Sequence, residues 1–417
     1  MNLVLWHGYL LADTGSNIYT RQIAHAWAEL GHDVRVLCQE PHPERYPMGE
    51  RVRVLRPAIG PLLPTFVVDR YEGVEARHVG AMSEAELGAY LDANVSALRD
   101  ELAREPADLV LANHAIMGGP VAAAGCAESS TPYAVKVHGS ELEYAIRGRP
   151  DLAAMGRAPL DCAAAVFAGS QHIVAVTREL LGDGPYLERT RIVPPGVDLE
   201  LFRPDRGSWE ELRRLLGSAG GTAQAERLPD PDAAARLAGV DRFVLYFGKL
   251  LFTKGVATLL EAWGRVAGQH PGHHLVVVGF GGDRGALEAE AGERVVFTGA
   301  MDHEQLSRLI PLADCTVVPS VLSEAFGMVA AEAAACGVIP VVAGHSGLAE
   351  VAEGLGDAAR TFPAGDAAAL AARVEDVLGL PDAERRALGE RGRERVAGRW
   401  SWQRVAQRLL QESGLPV

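Results

Sequence analysis

Short, unbroken apolar runs alternate along this chain with longer stretches whose apolar residues recur every three or four positions. Runs of the first kind read as strands buried on both faces of a parallel sheet, and stretches of the second kind as helices covering those faces. NLVLWHG opens the series, turns through DTGSN, enters the helical IYTRQIAHAWAELGH and returns as the strand DVRVLCQ. ADLVLAN, PYAVKVHG and AAAVFAGS continue it, while residues from about Met48 to Tyr90 are less regular, with Pro57, Pro61 and Pro64 interrupting the pattern. RIVPPGVDLELF carries turn signals and reads as a linker, which puts a domain boundary near Asp198. A second series begins with DRFVLYFG after a polar stretch from about Gly207 to Asp241. It continues through HHLVVVGFGG, RVVFTG, DCTVVPS and GVIPVVAG. Strand and helix alternating in two blocks predict an α/β chain with two doubly wound domains, 1–198 and 199–393, followed by a terminal segment 394–417 that contains the helix RWSWQRVAQRLL.

The 417-residue length agrees with two cores. The formal net charge of −14 is shared by both halves, which disfavours nucleic acid as a partner and weakens docking on anionic lipid. No apolar run approaches the ~20 residues that span a bilayer. The amino-terminal segment lacks a basic region ahead of its apolar run, so stable membrane insertion is not expected and a cytoplasmic location is. Cys38, Cys126, Cys162, Cys315 and Cys336 form no CxxC pair and are odd in number, arguing for buried reduced thiols over a disulfide framework or a zinc site.

The densest chemistry lies in SEAFGMVAAEAAACG, Ser323 to Gly337. A helix is expected from about Phe326, and the N–H groups of its first turn, Phe326 to Val329, would form an anion site at the positive end of the helix dipole. Gly327 allows an anion to approach. Glu324 precedes the helix and Glu332 follows about 9 Å further along it, at ~1.5 Å per residue, so the two carboxylates flank that site. Carboxylates accept hydrogen bonds from vicinal hydroxyls, and a diphosphate carrying a sugar at each end suits this spacing. The helix also opens at the carboxyl end of a strand, where open α/β sheets bind ligands. A second constellation, GKLLFTKG, puts Gly248, Lys249 and Lys254 in a tight loop between strand and helix, where ammonium groups neutralise phosphate oxygens.

With these residues the chain resembles, nearly end to end, the family-4 retaining glycosyltransferases of the GT-B fold, two Rossmann-like doubly wound domains facing across a cleft. The resemblance implies transfer of a hexosyl unit from a nucleoside diphosphate sugar to a hydroxyl of a small-molecule or glycan acceptor, with retention at the anomeric carbon. It implies that Glu324 contacts the transferred sugar and Glu332 the ribose, with donor contacts also at Phe326, Gly327, Met328 and Val329. Lys249 stands where the family more often has arginine, keeping the charge and losing bidentate geometry. Gly279, in the turn GFGGD, is implied to border the nucleotide; GHSG, Gly344 to Gly347, is a similar turn. In the first domain the resemblance brings Gly15, Ser16 and Asn17 to the donor diphosphate, although a role for Ser16 or Asn17 as a helix N-cap would by itself explain these residues well. It brings His138, in HGSE at a strand end, to the donor sugar or acceptor, and Asn113 and His114 to the acceptor. His138, Glu324, Lys249 and Lys254 are the expected catalytic group. The terminal helix is implied to cross back to the first domain, anchored by Trp400 and Trp402.

LPDPDAAAR contains a D-x-D string, Asp230 to Asp232, but Asp232 reads as a helix cap and GT-B relatives neutralise the diphosphate with basic residues and helix dipoles. No metal and no cofactor is therefore expected beyond the nucleotide-sugar co-substrate. Two other readings use the same residues: a GT-B nucleotide-sugar 2-epimerase or hydrolase, and a nucleotide-sugar-binding protein without turnover. The sequence does not set the oligomeric state.

Overall fold

A computed structural model describes residues 1–11, 15–66, 75–217 and 228–416, and the chain divides into two compact units. The first comprises Met1–Gly196 with Trp402–Val417, the second Val197–Ser401.

The first unit is built on nine described strands: β1 (Asn2–Trp6), β2 (Asp33–Leu37), β3 (Val52–Leu55), β4 (Leu62–Thr65), β5 (Glu75–His78), β6 (Leu109–Asn113), β7 (Tyr133–Lys136), β8 (Ala165–Ala168) and β9 (Thr190–Ile192). Seven form one parallel sheet in the order β3-β2-β1-β6-β7-β8-β9. Unbroken burial along β6 and β7 explains their apolar sequences, since helices cover both faces. The order reverses between β1 and β6, and at such a switch point the loops leaving the two strands diverge and open a crevice. The stretch read as irregular is more structured than expected. It supplies β3 to the main sheet, pairs β4 with β5 in parallel, and leads into the helix Glu84–Arg104, whose start is fixed by a Ser83–Glu86 capping box. Pro64 lies inside β4, a strand with a single partner, so its missing N–H costs no second ladder.

The second unit contains β10 (Arg242–Phe247), β11 (His273–Val278), β12 (Val295–Phe297), β13 (Cys315–Val318), β14 (Pro340–Ala343) and β15 (Arg360–Phe362). They make a parallel sheet ordered β12-β11-β10-β13-β14-β15, with its own switch point between β10 and β13. The polar stretch before β10 forms the helices Trp209–Gly217 and Ala233–Arg236 within the described residues.

The terminal segment differs from expectation. Two helices occupy it, Asp382–Trp400 in the second unit and Trp402–Glu412 in the first, with Ser401 between them. Each tryptophan anchors its own unit. Trp400 meets Phe326 edge to face at 5.3 Å, and Trp402 meets Tyr19 at 5.8 Å. Trp27 adds a hydrogen bond from its indole N–H to the Ala406 carbonyl at 3.0 Å. The cysteines also depart from the reading: four are buried and free, and Cys162 is free and exposed. No described helix is long and apolar enough to cross a membrane.

Trp402 is 7% exposed, and a Cβ at Gly196 would collide with its indole, so the ring closes the first unit's core against the start of the linker. Trp402→Ala should destabilise that unit by about 3–5 kcal/mol, read as a lower urea midpoint for the fluorescence change of the first unit.

Candidate active site

In the second unit, chemistry gathers at the switch point. The loop after β10 and the loop after β11 are zipped together: Gly248 N–H donates to Val278 carbonyl at 3.0 Å and Leu250 N–H to Phe280 carbonyl at 2.7 Å. Gly279 has φ 153°, and a Cβ there would run into the Gly248 carbonyl oxygen, so this close approach requires glycine. Lys249 is exposed on this loop, and its carbonyl accepts the Tyr246 hydroxyl at 2.7 Å. Lys254 closes a short helical turn, Phe252–Lys254, and forms an ion pair with the Glu324 carboxylate. The two residues come from loops that leave β10 and β13, the neighbours at the switch point.

Glu324 is held from several directions. Its carboxylate also accepts the Ser320 hydroxyl at 2.7 Å, its N–H donates to Ser346 Oγ at 2.9 Å, and its carbonyl accepts the Gly347 N–H at 2.9 Å. His345 Nε2 meets the Ser320 carbonyl at 2.7 Å and must therefore carry the proton, which leaves Nδ1 to accept the Ser346 hydroxyl at 3.1 Å. GHSG is thus the brace that orients Glu324.

The helix that follows is Met328–Ala335, two residues later than the sequence suggested. Gly327 occupies the N-cap with φ 113°, a left-handed conformation that delays the helix, and Phe326 precedes it with its ring in the core against Trp400. Ala330 N–H already reaches the Gly327 carbonyl at 3.0 Å, so the N–H groups of Met328 and Val329 are those without an intrahelical acceptor. Glu332 lies inside this alanine-rich helix and is 5% exposed. Burial pushes its carboxyl up to about 8.

In the first unit, a buried polar cluster lies at the carboxyl ends of β1, β6 and β7. His7 follows β1 and its Nε2 meets Asn17 Oδ1 at 2.8 Å; burial, with His114 nearby, pushes His7 down to about 3. Gly15, Ser16 and Asn17 lie in the first turn of the helix Gly15–Glu29, so neither Ser16 nor Asn17 caps it, and Asn17 turns instead to His7. Asp13 and Thr14 of the same motif lie outside the described residues. His114 has φ 72° and Met117 φ 64°, left-handed conformations that cost non-glycine residues about 1–3 kcal/mol each and concentrate at functional sites. Glu141 pins this turn. One carboxylate oxygen accepts the N–H of His138 at 3.0 Å and of Ala115 at 3.4 Å, the other the N–H of Gly139 at 3.0 Å and His114 Nδ1 at 3.1 Å. Burial alone would raise this carboxyl, but the His114 ring and the donated hydrogen bonds outweigh it and hold the group below the usual range. His138 is partly buried, with its ring 4.7 Å from His114 and 5.1 Å from Tyr19.

Reading the sequence did not assign roles to His7, Glu141, Ser320, Ser346 or Lys136. His7 and Glu141 had visible signals, one beside a strand end and the other within HGSE. Lys136 had a compositional one: the chain contains three lysines against 37 arginines, and the other two are Lys249 and Lys254. Lys136 is 2% exposed, donates to the Val193 carbonyl at 2.5 Å and lies over the Tyr19 ring, and burial pushes it down to about 7. The D-x-D aspartates are engaged elsewhere. Asp230 receives a two-pronged ion pair from Arg284. Asp232 takes the N-cap position of Ala233–Arg236 without capping it through its side chain, which accepts Arg236 Nε at 2.9 Å instead.

Residues 14–201 match the family described as Glycosyltransferase Family 4, and residues 232–395 match Glycosyl transferases group 1. D-inositol 3-phosphate glycosyltransferase 1 of Catenulispora acidiphila is 30% identical over 425 residues, covering 95% of this chain and 89% of that protein. Glycogen synthase of Mycobacterium tuberculosis is 36% identical over 192 residues, covering 43% of this chain and 44% of that one. Among solved structures, sucrose-phosphate synthase of Thermosynechococcus elongatus superposes with a TM-score of 0.69 at 24% identity, covering 98% and 97% of the two chains. Anabaena HepE in complex with UDP and glucose gives 0.68 at 18% identity, covering 98% of each.

Glu332 makes stability depend on pH in a definite sense. Its folded pKa lies above the unfolded one, so the native state holds a proton that the unfolded chain has lost between about pH 4.5 and about pH 8, and stability falls as pH rises through that window. Glu332→Gln removes the effect. Thermal unfolding of the ligand-free variant should match the parent near pH 4.5 and exceed it above pH 8, by at most about 5 kcal/mol; equal Tm values at pH 8.5 would contradict the buried, uncompensated carboxyl.

Proposed function

The chain belongs to the family-4 glycosyltransferases of the GT-B fold, retaining enzymes that use nucleotide sugars, and from that premise we propose how its residues divide the reaction. The second unit binds a nucleoside diphosphate hexose, and the hexosyl unit passes to a hydroxyl of a small-molecule or glycan acceptor. The observation that carries this reading is the Lys254–Glu324 pair at the switch point, beside the free N–H groups that open Met328–Ala335.

Before the donor binds, the two charges satisfy each other. A diphosphate at the helix terminus offers Lys254 a stronger partner, and a sugar hydroxyl offers Glu324 a donor to replace the ammonium. Lys254, Lys249 and the N–H groups of Met328 and Val329 then stabilise the charge that develops on the departing diphosphate, the part of the reaction where preorganised donors contribute most. The positive charge needed by the leaving group comes from the protein, so the reaction requires no metal. Glu332 accepts the ribose hydroxyls, and Gly279 lines the nucleotide. In the first unit, His138 and His114 meet sugar hydroxyls. Retention follows from attack on the face that the diphosphate leaves, without a protein nucleophile. The cytoplasm, where nucleotide sugars are made, is the expected location.

Relatives named for D-inositol 3-phosphate and for glycogen, and a structural neighbour holding UDP and glucose, define the first substrates to try. A panel of sugar nucleotides, scored for release of the nucleoside diphosphate with and without polyol and glycan acceptors, separates transfer from epimerisation and from binding without turnover. Acceptor-dependent release supports transfer; epimer formation without an acceptor, or no turnover of any donor, would overturn it. With the working donor, Lys254→Ala should lower kcat by roughly 100-fold or more, and excess EDTA should leave activity unchanged. Glu332→Ala should weaken binding of the free nucleoside diphosphate and raise KM, whereas Glu324→Ala should mainly lower kcat. The reverse pattern in calorimetry and kinetics would invert the donor's direction along this helix.

A further inference from the structure

The groups behind His138 decide which of its ring nitrogens carries a proton. The Thr20 hydroxyl donates to the Ser16 carbonyl at 2.8 Å, so its oxygen is an acceptor for Asn113 Nδ2 at 3.1 Å. That fixes the amide with Oδ1 facing His138 Nε2 at 2.6 Å. A carboxamide oxygen accepts, so Nε2 bears the hydrogen and Nδ1 is left as a bare lone pair. Turning the amide over would force Thr20 to give up Ser16 in order to donate to Asn113. Asn113 and Thr20 are both fully buried, and both ends of the Asn113 amide are engaged. Asn113, expected from the sequence to touch the acceptor, therefore works through its neighbour.

We propose that Asn113 and Thr20 are positioning residues that hold His138 as the Nε2–H tautomer, so that Nδ1 accepts a hydrogen bond from a hydroxyl of a bound sugar. The proposal rests on the glycosyltransferase reading for its ligand and on the hydrogen-bond chain for its geometry. A neutral ring with an outward lone pair selects a free hydroxyl at that position of the sugar. An ether there has no proton to give, and a carboxylate, as in a hexuronic acid, would set its own lone pairs against Nδ1.

The surroundings keep the ring in this state. Burial first, then the positive influence of His114, Lys136 and His7, holds His138 well below the ordinary histidine value. Tyr19 contributes a ring edge without charge. Among the described residues the carboxylate on this loop, Glu141, already accepts the N–H groups of His138 and Gly139, that of Ala115 and His114 Nδ1, and it meets His138 through the backbone only. Asn113→Asp would change this balance by placing a carboxylate directly on Nε2–H. It stabilises the imidazolium, raises the His138 pKa and fills the lone pair with a proton as pH falls.

The decisive experiment is 15N spectroscopy of the full-length protein labelled at histidine nitrogen, with the His138 signals assigned by their loss in His138→Gln. The native chain should show His138 neutral and Nε2-protonated from about pH 8 down to about pH 5. In Asn113→Leu the tautomer should become mixed or reverse, with kcat for the working donor falling by up to roughly 100-fold and its KM nearly unchanged. Thr20→Val should shift both readouts in the same direction by less, and it decides the matter if Asn113→Leu does not fold. Asn113→Asp should retain the tautomer at high pH, recover much of the activity there, and show an acid limb in its pH–rate profile that the parent lacks. A native His138 that is Nδ1-protonated or mixed would overturn the proposal, as would Asn113→Leu with an unchanged tautomer and unchanged kcat. If His138 has the stated tautomer while no sugar nucleotide turns over, the relay stands and the glycosyltransferase reading fails.

Discussion

The ion pair between Lys254 and Glu324 joins the two strand-end loops on which the second unit's chemistry depends. Those loops leave β10 and β13, adjacent strands whose connections run to opposite sides, so nothing in the sheet itself holds their ends together. The pair does so together with the Thr253 carbonyl, which accepts the Val321 N–H at 3.0 Å and the Leu322 N–H at 3.3 Å, and Ser320 and the Ser346 hydroxyl support the glutamate. It also stores the site in a neutral, satisfied form. On the proposed division of roles, each of these opposite charges is claimed by one part of a diphosphate sugar, and binding would exchange partners instead of burying unpaired charge.

The first unit solves a different problem. Its polar groups at the ends of β1, β6 and β7 are buried and uncharged for the most part: His7 and His138 are pushed toward neutrality, and the Glu141 carboxylate is saturated with N–H donors. Such a cluster offers lone pairs and ring faces in place of charge, which suits hydroxyl groups. The strained backbone at His114 and Met117 is the cost of bringing β6's exit loop under that carboxylate.

Much of this was legible in the chain itself because the decisive signals are local. Buried parallel strands announce themselves by continuous apolar runs, and Glu324, Glu332, Lys249 and Lys254 stand at recognisable offsets from such runs. What escaped was set by tertiary context. The helix after Glu324 begins at Met328 because Gly327 adopts a left-handed φ, a choice that composition leaves open. Asn17 looked like a cap and proves to be a partner of His7, which follows β1 ten residues earlier. The terminal helix breaks at Ser401 although RWSWQRV has no proline or glycine, because the two tryptophans are buried in different cores. Lys136 was hidden in an ordinary strand pattern, and only its rarity as a lysine in an arginine-rich chain marked it.

A crystal structure of the protein with the nucleoside diphosphate released in the donor panel would show whether the Lys254–Glu324 pair opens when the nucleotide binds. The diphosphate should lie within hydrogen-bonding distance of the Met328 and Val329 N–H groups and of Lys254 Nζ, with Lys254 withdrawn from Glu324 and the ribose on Glu332. A nucleotide bound elsewhere with the Lys254–Glu324 pair intact would contradict the exchange of partners on which this account of donor binding rests.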